Sequence, residues 1–199
     1  DFKRMVAYSS VSHMGYVLLG MAALTEWGMN GAALQMFNHG TSSAALFLIV
    51  GIIYDRAHHR DLNGFGGLSQ QMPLYWGLTT IGFFAALGLP GMAGFIAEAM
   101  TLVGAYDAVD PRFRILVLIS VLGIVITAAF LLYAMQRVFL GNLNQKYTGF
   151  ADINKRELFC LTPLLFLCIV LGILPYFLLD WMEPSIRNLV EILTVASNG

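Results

Sequence analysis

The stretch LPGMAGFIAE, residues 89–98, decides how this chain folds. It lies within an apolar segment, where Pro90 and Gly91 interrupt the helical pattern and Glu98 follows within about two helical turns. A carboxylate at hydrocarbon depth costs about 3 kcal/mol on insertion scales, so such a group faces a bundle interior or a wet cavity. Backbone groups freed by a helix break also need partners at that depth. The stretch therefore predicts a broken membrane helix on an ion or proton pathway.

Composition places the whole chain among membrane proteins. Of its 199 residues, 58% are hydrophobic and 12% are charged, and the mean hydropathy is +0.72. A helix needs ~20 residues to span the hydrocarbon. Apolar runs occur at residues 5–24, 30–54, 74–89, 93–107, 113–136 and 158–179. The net charge of −1 gives no basis for nucleic-acid binding.

The two runs beside the break are short, and the basic residues indicate how they cross the membrane. One broken crossing leaves only three of the 11 basic residues, Arg112, Arg114 and Arg187, on the side opposite the others. Two separate crossings would give a weaker asymmetry. The positive-inside rule therefore favours a single broken crossing over residues 74–107, with loops 55–73 and 137–157 in the cytoplasm.

The predicted fold is an all-α polytopic membrane protein that forms one transmembrane domain, residues 1–199. It has about five transmembrane helices, the third broken at Leu89–Gly94, and a C-terminal amphipathic segment after Asp180. Apolar residues such as Trp181 and Leu189 alternate with polar ones in that segment, a pattern typical of a helix on the membrane surface. The C-terminus is expected on the outer side.

Three ionisable residues lie well inside the apolar runs: His13, His39 and Glu98. Each histidine has polar residues three or four positions away, a spacing that places them on its helix face. These supporting residues are Ser9, Ser10, Gln35, Ser42 and Ser43. Both helices therefore carry a polar stripe centred on a histidine, which is unsuited to contact with lipid.

These residues are predicted to form a proton relay. Histidine titrates near neutrality, and hydroxyls and water can link such groups. We expect His13, His39 and Glu98 to face one polar layer, with neighbours about 10 Å apart and water between them. Structural alternatives stay open, with the histidines as hydrogen-bonding glue between helices and Glu98 as a paired kink residue. No metal site is expected, since HxxxH and HExxH spacings are absent.

Longer motifs resemble a known family. Residues 1–15, DFKRMVAYSSVSHMG, resemble the central signature of antiporter-like proton-pumping subunits. Residues 35–40, QMFNHG, and residues 87–91, LGLPG, followed by Glu98, resemble the subunit M family of bacterial NADH-quinone oxidoreductase, equivalent to mitochondrial NADH dehydrogenase subunit 4. The resemblance covers nearly the whole chain and is most specific in its first half.

The resemblance implies a proton-translocating subunit of respiratory complex I, and thus part of an enzyme whose redox active site is in other chains. It maps the glutamate of the family's broken helix onto Glu98, and two relay histidines onto His13 and His39. This chain would be a C-terminal fragment without the family's upstream lysines, and alone it would not pump. We expect it to bind no cofactor, because flavin, iron–sulfur clusters, NADH and quinone would belong to partner subunits.

The expected partners are neighbouring antiporter-like subunits, the lipid bilayer and protons, with no nucleic acid. The expected location is the bacterial inner (cytoplasmic) membrane. Two related functions stay open: a subunit of a multi-subunit cation/proton antiporter, or of an energy-converting membrane hydrogenase. Two different classes also stay open: a secondary transporter of organic solutes, and an uncoupled scaffold in which His13, His39 and Glu98 face different directions.

Overall fold

The computed structural model describes residues 1–197 of the chain, with side chains through Ala196. Residues 198 and 199, the end of the predicted domain, lie outside the described residues. The helices are α1 (Phe2–Ala22), α2 (Glu26–Ala57), α3 (Leu68–Gln71), α4 (Pro73–Ala86), α5 (Ala93–Tyr106), α6 (Arg112–Phe139), α7 (Lys155–Ile173) and α8 (Tyr176–Ser197). Short 3-10 turns occur at Leu62–Gly64 and Gln145–Tyr147.

The chain is an all-α polytopic membrane protein, as predicted. Helices α2, α6 and α7 are each long and apolar enough to cross a membrane. Helix α1 has 21 residues, about the length needed to span the hydrocarbon, and carries the polar stripe around His13. Side-chain caps begin three of these helices, because Asp1, Thr25 and Asn154 accept hydrogen bonds from backbone N–H groups of the first turn.

The break between α4 and α5 covers residues 87–92, two residues earlier than the predicted Leu89–Gly94. The reason is Gly88, whose φ of +64° ends α4 in a left-handed conformation. Gly88 and Leu89 then donate backbone hydrogen bonds to the carbonyls of Ala85 and Phe84, which are otherwise left without partners at a helix end. Gly94, predicted within the break, lies in the first turn of α5.

Helices α4 and α5 form one broken crossing. Each has 14 residues and is about 21 Å long, too short to span the hydrocarbon alone. Three hydrogen bonds join α4 and α5 to α2 and its N-cap residue at successive points along α2. They run from Tyr75 Oη to Ile49 O (2.7 Å), from Asn38 Nδ2 to Ala93 O (2.8 Å) and from Thr25 Oγ1 to Gly104 O (2.9 Å). The pair therefore runs antiparallel to α2 from one end to the other.

The loops predicted to share a side meet at one end of the bundle, here called the loop end. Arg56 forms a 2.8 Å ion pair with Glu157, and the Tyr147 hydroxyl donates to Gly64 O at 3.0 Å. The opposite end, here called the α8 end, contains Thr25, residues 107–111 and α8. Which end faces the cytoplasm stays a prediction.

The predicted fifth crossing at 158–179 is shorter than expected. Helix α7 ends at Ile173, and α8 begins at Tyr176 rather than after Asp180. Leu174 precedes Pro175, and a residue before proline is disfavoured in the helical region, so the helix stops there. None of the α8 side chains from Tyr176 to Ala196 is buried. Arg187 holds α8 to α2 by donating to Glu26 Oε1 at 2.9 Å.

Small residues bring α1, α2 and α5 into backbone contact near the α8 end. A Cβ atom added at Gly31 would lie 2.5 Å from Thr101 N and 3.0 Å from Ala97 O. A Cβ added at Gly28 would lie 2.8 Å from Gly20 O. Only glycine at these positions lets the backbones of the three helices come so close. The glycines therefore set the distance between the helices.

We expect Gly31→Ala to lower the thermal unfolding temperature of the subunit in its purified complex. Overpacking a well-packed contact costs about 1–3 kcal/mol. The matched control is Gly40→Ala in the same helix, because a Cβ there meets nothing within 4 Å. That change should be neutral or stabilise by up to about 1 kcal/mol. Equal melting temperatures for the two variants would contradict the proposed packing constraint.

Cysteine labelling in membranes should test the single broken crossing. In a background of Cys160→Ser and Cys168→Ala, we expect Val109→Cys and Gln70→Cys, in the predicted loop 55–73, to label from opposite sides of the membrane. Both positions are exposed, and they lie at opposite ends of the bundle. Labelling of both from the same side would show that α4 and α5 cross separately.

Candidate functional site: a buried histidine–glutamate cluster

Glu98 lies beside the helix break and is buried, with 6% of its surface exposed. It follows the start of α5 at Ala93 by about one and a half turns. Its Oε1 lies 3.3 Å from Nδ1 of His13, which is also 6% exposed. A Cβ atom at Gly88 would lie 2.9 Å from Glu98 Oε2, so the carboxyl group occupies the space that this glycine leaves open.

Gln35 lies against the same nitrogen of His13. Its Nε2 is 3.3 Å from His13 Nδ1. A protonated Nδ1 donates to Glu98, and the Gln35 amide must then present its oxygen to the ring. An unprotonated Nδ1 has one lone pair and instead accepts from either the Gln35 N–H or a protonated Glu98. The orientation of the Gln35 amide is thus linked to the position of the proton.

His39 extends the cluster along α2. Its ring centroid lies 5.2 Å from that of His13, with 36° between the planes. The Ser43 hydroxyl lies 3.0 Å from Nε2 and 3.2 Å from Nδ1 of His39. The single hydroxyl group can form a well-aligned hydrogen bond with only one of these nitrogens at a time. Ser42 donates to the His39 carbonyl at 3.4 Å.

The structure brings the predicted ionisable residues into one cluster, unlike the arrangement expected of a scaffold whose polar groups diverge. The expected spacing of about 10 Å between neighbours is wrong. His13 is in direct contact with Glu98 and its ring adjoins His39, because glycines let α1, α2 and α5 pack closely. Ser9 donates to the carbonyl of Val6 in its own helix, and Ser10 is half-buried.

Sequence reasoning missed several polar side chains around the cluster. Asn38 donates to Ala93 O at the start of α5. The Tyr16 hydroxyl donates to Ser120 O at 3.0 Å, and Thr127 Oγ1 lies 3.2 Å from Oγ of Ser12, which the sequence does place in the polar patch around His13. Asn38 could have been found, since it lies three residues after Gln35 and shares its helix face. No sequence pattern predicts the contacts of Tyr16 and Ser12 with α6, because these contacts depend on how α1 packs against α6.

A small cavity of about 10 Å³ separates the two histidines from the helix break. It is lined in part by His13, Gln35, Asn38, His39 and Ser42. Its size is about that needed for one water molecule. Within residues 1–197, Gln35 Oε1 and Asn38 Oδ1 are buried and have no hydrogen-bond partner. These acceptors make the cavity polar.

Metal binding is a separate question. In the described part of the chain, no group of three or more His, Cys, Asp and Glu side chains is arranged to hold a metal ion.

A broken helix and a buried acid–histidine pair within an all-helical bundle define a class of polytopic membrane protein with ionisable groups in its core. Residues 1–127 match the family model described as the transmembrane region of NADH:quinone oxidoreductases and Mrp antiporters. The chain belongs to this family.

Curated relatives carry related names. NAD(P)H-quinone oxidoreductase chain 4 2 of Synechococcus sp. (strain JA-3-3Ab) is 39% identical over 199 residues, which cover 97% of this chain and 37% of the relative. NADH-quinone oxidoreductase subunit M of Rickettsia felis is 38% identical, with coverage of 96% of this chain and 38% of the relative. The chain therefore spans less than half the length of these relatives.

Solved structures share the fold. A chain of respiratory complex I from Thermus thermophilus aligns with a TM-score of 0.89 and 30% identity, over 97% of this chain and 40% of that one. A chain of the Mrp complex from Dietzia sp. aligns with a TM-score of 0.83 and 22% identity, over 96% of this chain and 43% of that one. The second likeness concerns the fold alone.

Gly88 and Gly91 offer a matched test of the carboxyl position. Both have positive φ, +64° and +92°, so alanine at either strains the backbone by about 1–2 kcal/mol. Only the Cβ at Gly88 meets Glu98, whereas none of the described atoms lies within 4 Å at Gly91. We expect Gly88→Ala, but not Gly91→Ala, to lengthen the His13–Glu98 contact beyond hydrogen-bond range, ~3.5 Å, in a high-resolution structure of the variant complex. An unchanged contact in Gly88→Ala would contradict the assigned position of the carboxyl group.

Proposed function

We propose that this chain is the C-terminal part of a proton-translocating membrane subunit of respiratory NADH-quinone oxidoreductase, with part of the proton path in it. The observation that carries the proposal is the buried contact of 3.3 Å between His13 Nδ1 and Glu98 Oε1, beside a broken helix. The relatives named subunit M and chain 4 support the assignment to this enzyme.

The proposed proton transfer uses the two arrangements of His13, Gln35 and Glu98. In one, the proton is on Glu98, and the single lone pair of His13 Nδ1 accepts from the carboxylic acid. In the other, the proton is on Nδ1, which donates to the Glu98 carboxylate while the Gln35 amide turns its oxygen towards the ring. Moving the proton needs one short transfer and a rotation of the Gln35 amide. Neither state leaves His13 Nδ1 without a partner.

His39 takes the next step of the proposed path. Water in the cavity lined by both histidines and Ser42 would bridge their rings. The Ser43 hydroxyl would then carry the proton to or from the other side of the His39 ring. The direction of transfer in the enzyme would be set by the changes in partner subunits that follow electron transfer.

The whole subunit would lie in the bacterial inner membrane beside neighbouring antiporter-like subunits, with its C-terminus on the outer side. NADH, flavin, iron–sulfur clusters and quinone would be bound by partner subunits, so this chain would contribute to the enzyme without a redox site of its own. An Mrp-type antiporter is the second candidate. The relatives' names favour the quinone enzyme, because the Mrp likeness at 22% identity concerns only the fold.

Glu98→Gln in the intact complex should reduce proton pumping by at least about tenfold, since glutamine keeps the volume but cannot bind and release a proton near neutral pH. The coupled electron transfer should fall with it, and Glu98→Asp should retain more activity. Proton uptake in reconstituted vesicles, with assembly checked on a native gel, measures this effect.

Asp107→Asn is the matched control, because Asp107 is an exposed acid just after the same helix. It should pump normally. Normal pumping by an assembled Glu98→Gln complex would defeat the proton-path assignment. A loss explained wholly by failed assembly would instead favour a structural role for the carboxyl group.

A further inference from the structure

A cavity of about 470 Å³ opens at the loop end, apart from the buried histidine–glutamate cluster. One wall is formed by Phe65 and Gly66, and the other by the last two turns of α6 and the turn that follows them. Backbone hydrogen bonds join the two walls, from Gly67 N to Leu140 O at 3.0 Å and from Asn144 N to Gly66 O at 3.2 Å. The cavity is therefore a fixed part of the fold.

Arg137 gives this cavity its positive charge, and none of the described residues that line it is acidic. The Arg137 guanidinium lies 5.9 Å from the centre of the Tyr133 ring and donates to the neutral amide of Asn63 at 3.0 Å. Within residues 1–197 it forms no salt bridge, whereas Arg56 and Arg187 each pair with a carboxylate. A guanidinium has five N–H donors in a planar fork that matches a phosphate group. Arg137 therefore has donors left for an anion.

Neutral donors line the same cavity. Among the described residues, the backbone N–H groups of Gly66, Gly141 and Asn142 have no acceptor. Gly141 has a φ of +88°, and successive backbone N–H groups in a turn are suited to bind an anion. The side-chain amide of Gln136 also lines the cavity. The cavity thus combines one free positive charge with neutral donors, which is the composition of an anion site.

The exposed face of α6 indicates that this anion belongs to a lipid. Arg114 and Arg137, near the two ends of α6, are about 34 Å apart along the helix, close to the ~30 Å of the hydrocarbon. Arg137 therefore lies at headgroup depth. Exposed residues three or four positions apart lead from the cavity towards the middle of the membrane: Tyr133, Ala129, Ile126 and Leu122. This stripe is about 17 Å long, close to the ~15 Å of one leaflet.

We propose that the cavity binds the phosphate of an anionic phospholipid, with the acyl chains along the stripe from Tyr133 to Leu122. Arg137 pairs with the phosphate, and the N–H groups of Gly141 and Asn142 donate to its remaining oxygens. Tyr133 lies between headgroup and acyl chains, at the depth where tyrosine is common in membrane proteins. A headgroup with an ammonium group is disfavoured, because it adds positive charge beside Arg137 where no acid lines the cavity. The site is separate from the proposed proton path and does not depend on it.

Photo-crosslinking of the intact complex in phosphatidylcholine vesicles tests this site. The probe is a trace of phosphatidylglycerol that carries a diazirine on an acyl chain, compared with phosphatidylcholine that carries the same group. We expect phosphatidylglycerol to label residues 122–133 about fivefold more than phosphatidylcholine, the preference that one basic residue near the membrane surface gives. Mass spectrometry of the labelled peptides measures this ratio.

Arg137→Gln should remove the preference, so that both probes label equally. Arg137→Lys should retain part of it, because lysine keeps the charge but not the planar fork. The matched control is Arg114→Gln, since Arg114 lies 5.3 Å from the Tyr106 ring at the other end of the same helix and does not line the cavity. It should leave the preference unchanged. A native gel checks that each variant complex is assembled.

Three results would overturn the proposal. Equal labelling of the unaltered complex by both probes would show that the headgroup is not recognised, and a preference kept in assembled Arg137→Gln would place recognition elsewhere. Labelling by neither probe would show that another part of the complex covers the cavity. Excess inorganic phosphate should have no more effect than chloride at equal ionic strength, and specific displacement by phosphate would show a site for the free anion instead. Glu98→Gln should not change the labelling, so this test is independent of the proton path.

Discussion

The contact between His13 and Glu98 is the interaction on which the core of this bundle depends. Isolated charges are costly at hydrocarbon depth, so a buried carboxyl group needs a partner that can share its proton. His13 is that partner at 3.3 Å, and the Gln35 amide lies 3.3 Å from the same ring nitrogen. The break at Gly88 gives the Glu98 side chain the space it occupies. A continuous helix with larger residues at this point would have no room for the pair.

Close helix packing makes this contact possible. The glycines of α1, α2 and α5 allow the backbones to touch, and this brings side chains from different helices within direct reach. The same packing leaves few voids, so the cavity beside the histidines is limited to about 10 Å³. The proposed path would transfer protons through short contacts and single water molecules, with little room for bulk water.

Much of this arrangement could be predicted from the sequence, because the responsible signals are local. Pro90 and Gly91 mark the break, and the spacing of Gln35, His39 and Ser43 marks a polar helix face. The distribution of basic residues predicted that loops 55–73 and 137–157 lie at the same end of the bundle, and they do. Long-range packing could not be predicted in this way. The spacing of about 10 Å expected along the relay was wrong because the sequence pattern of α1 does not reveal how closely Gly20 approaches α2.

The sequence also predicted some helix boundaries imprecisely, because only weak local preferences determine them. The fifth crossing ends at Ile173, since Pro175 outweighs the apolar residues that follow it. The amphipathic pattern of α8 was visible after Asp180 but not in its first turn, where Tyr176 and Phe177 are both aromatic. A cavity at the α8 end is lined by Glu26, Asp180 and Glu183, which are far apart in the sequence, so only the folded chain reveals it.

Infrared difference spectroscopy on the intact complex during turnover would test the central claim most directly. The account predicts a carboxyl band that appears and disappears as Glu98 gains and loses its proton. This band should be absent in Glu98→Gln and should shift in His13→Gln, which removes the partner of the acid. A spectrum with no carboxyl change assignable to Glu98, or one unaffected by His13→Gln, would contradict the account.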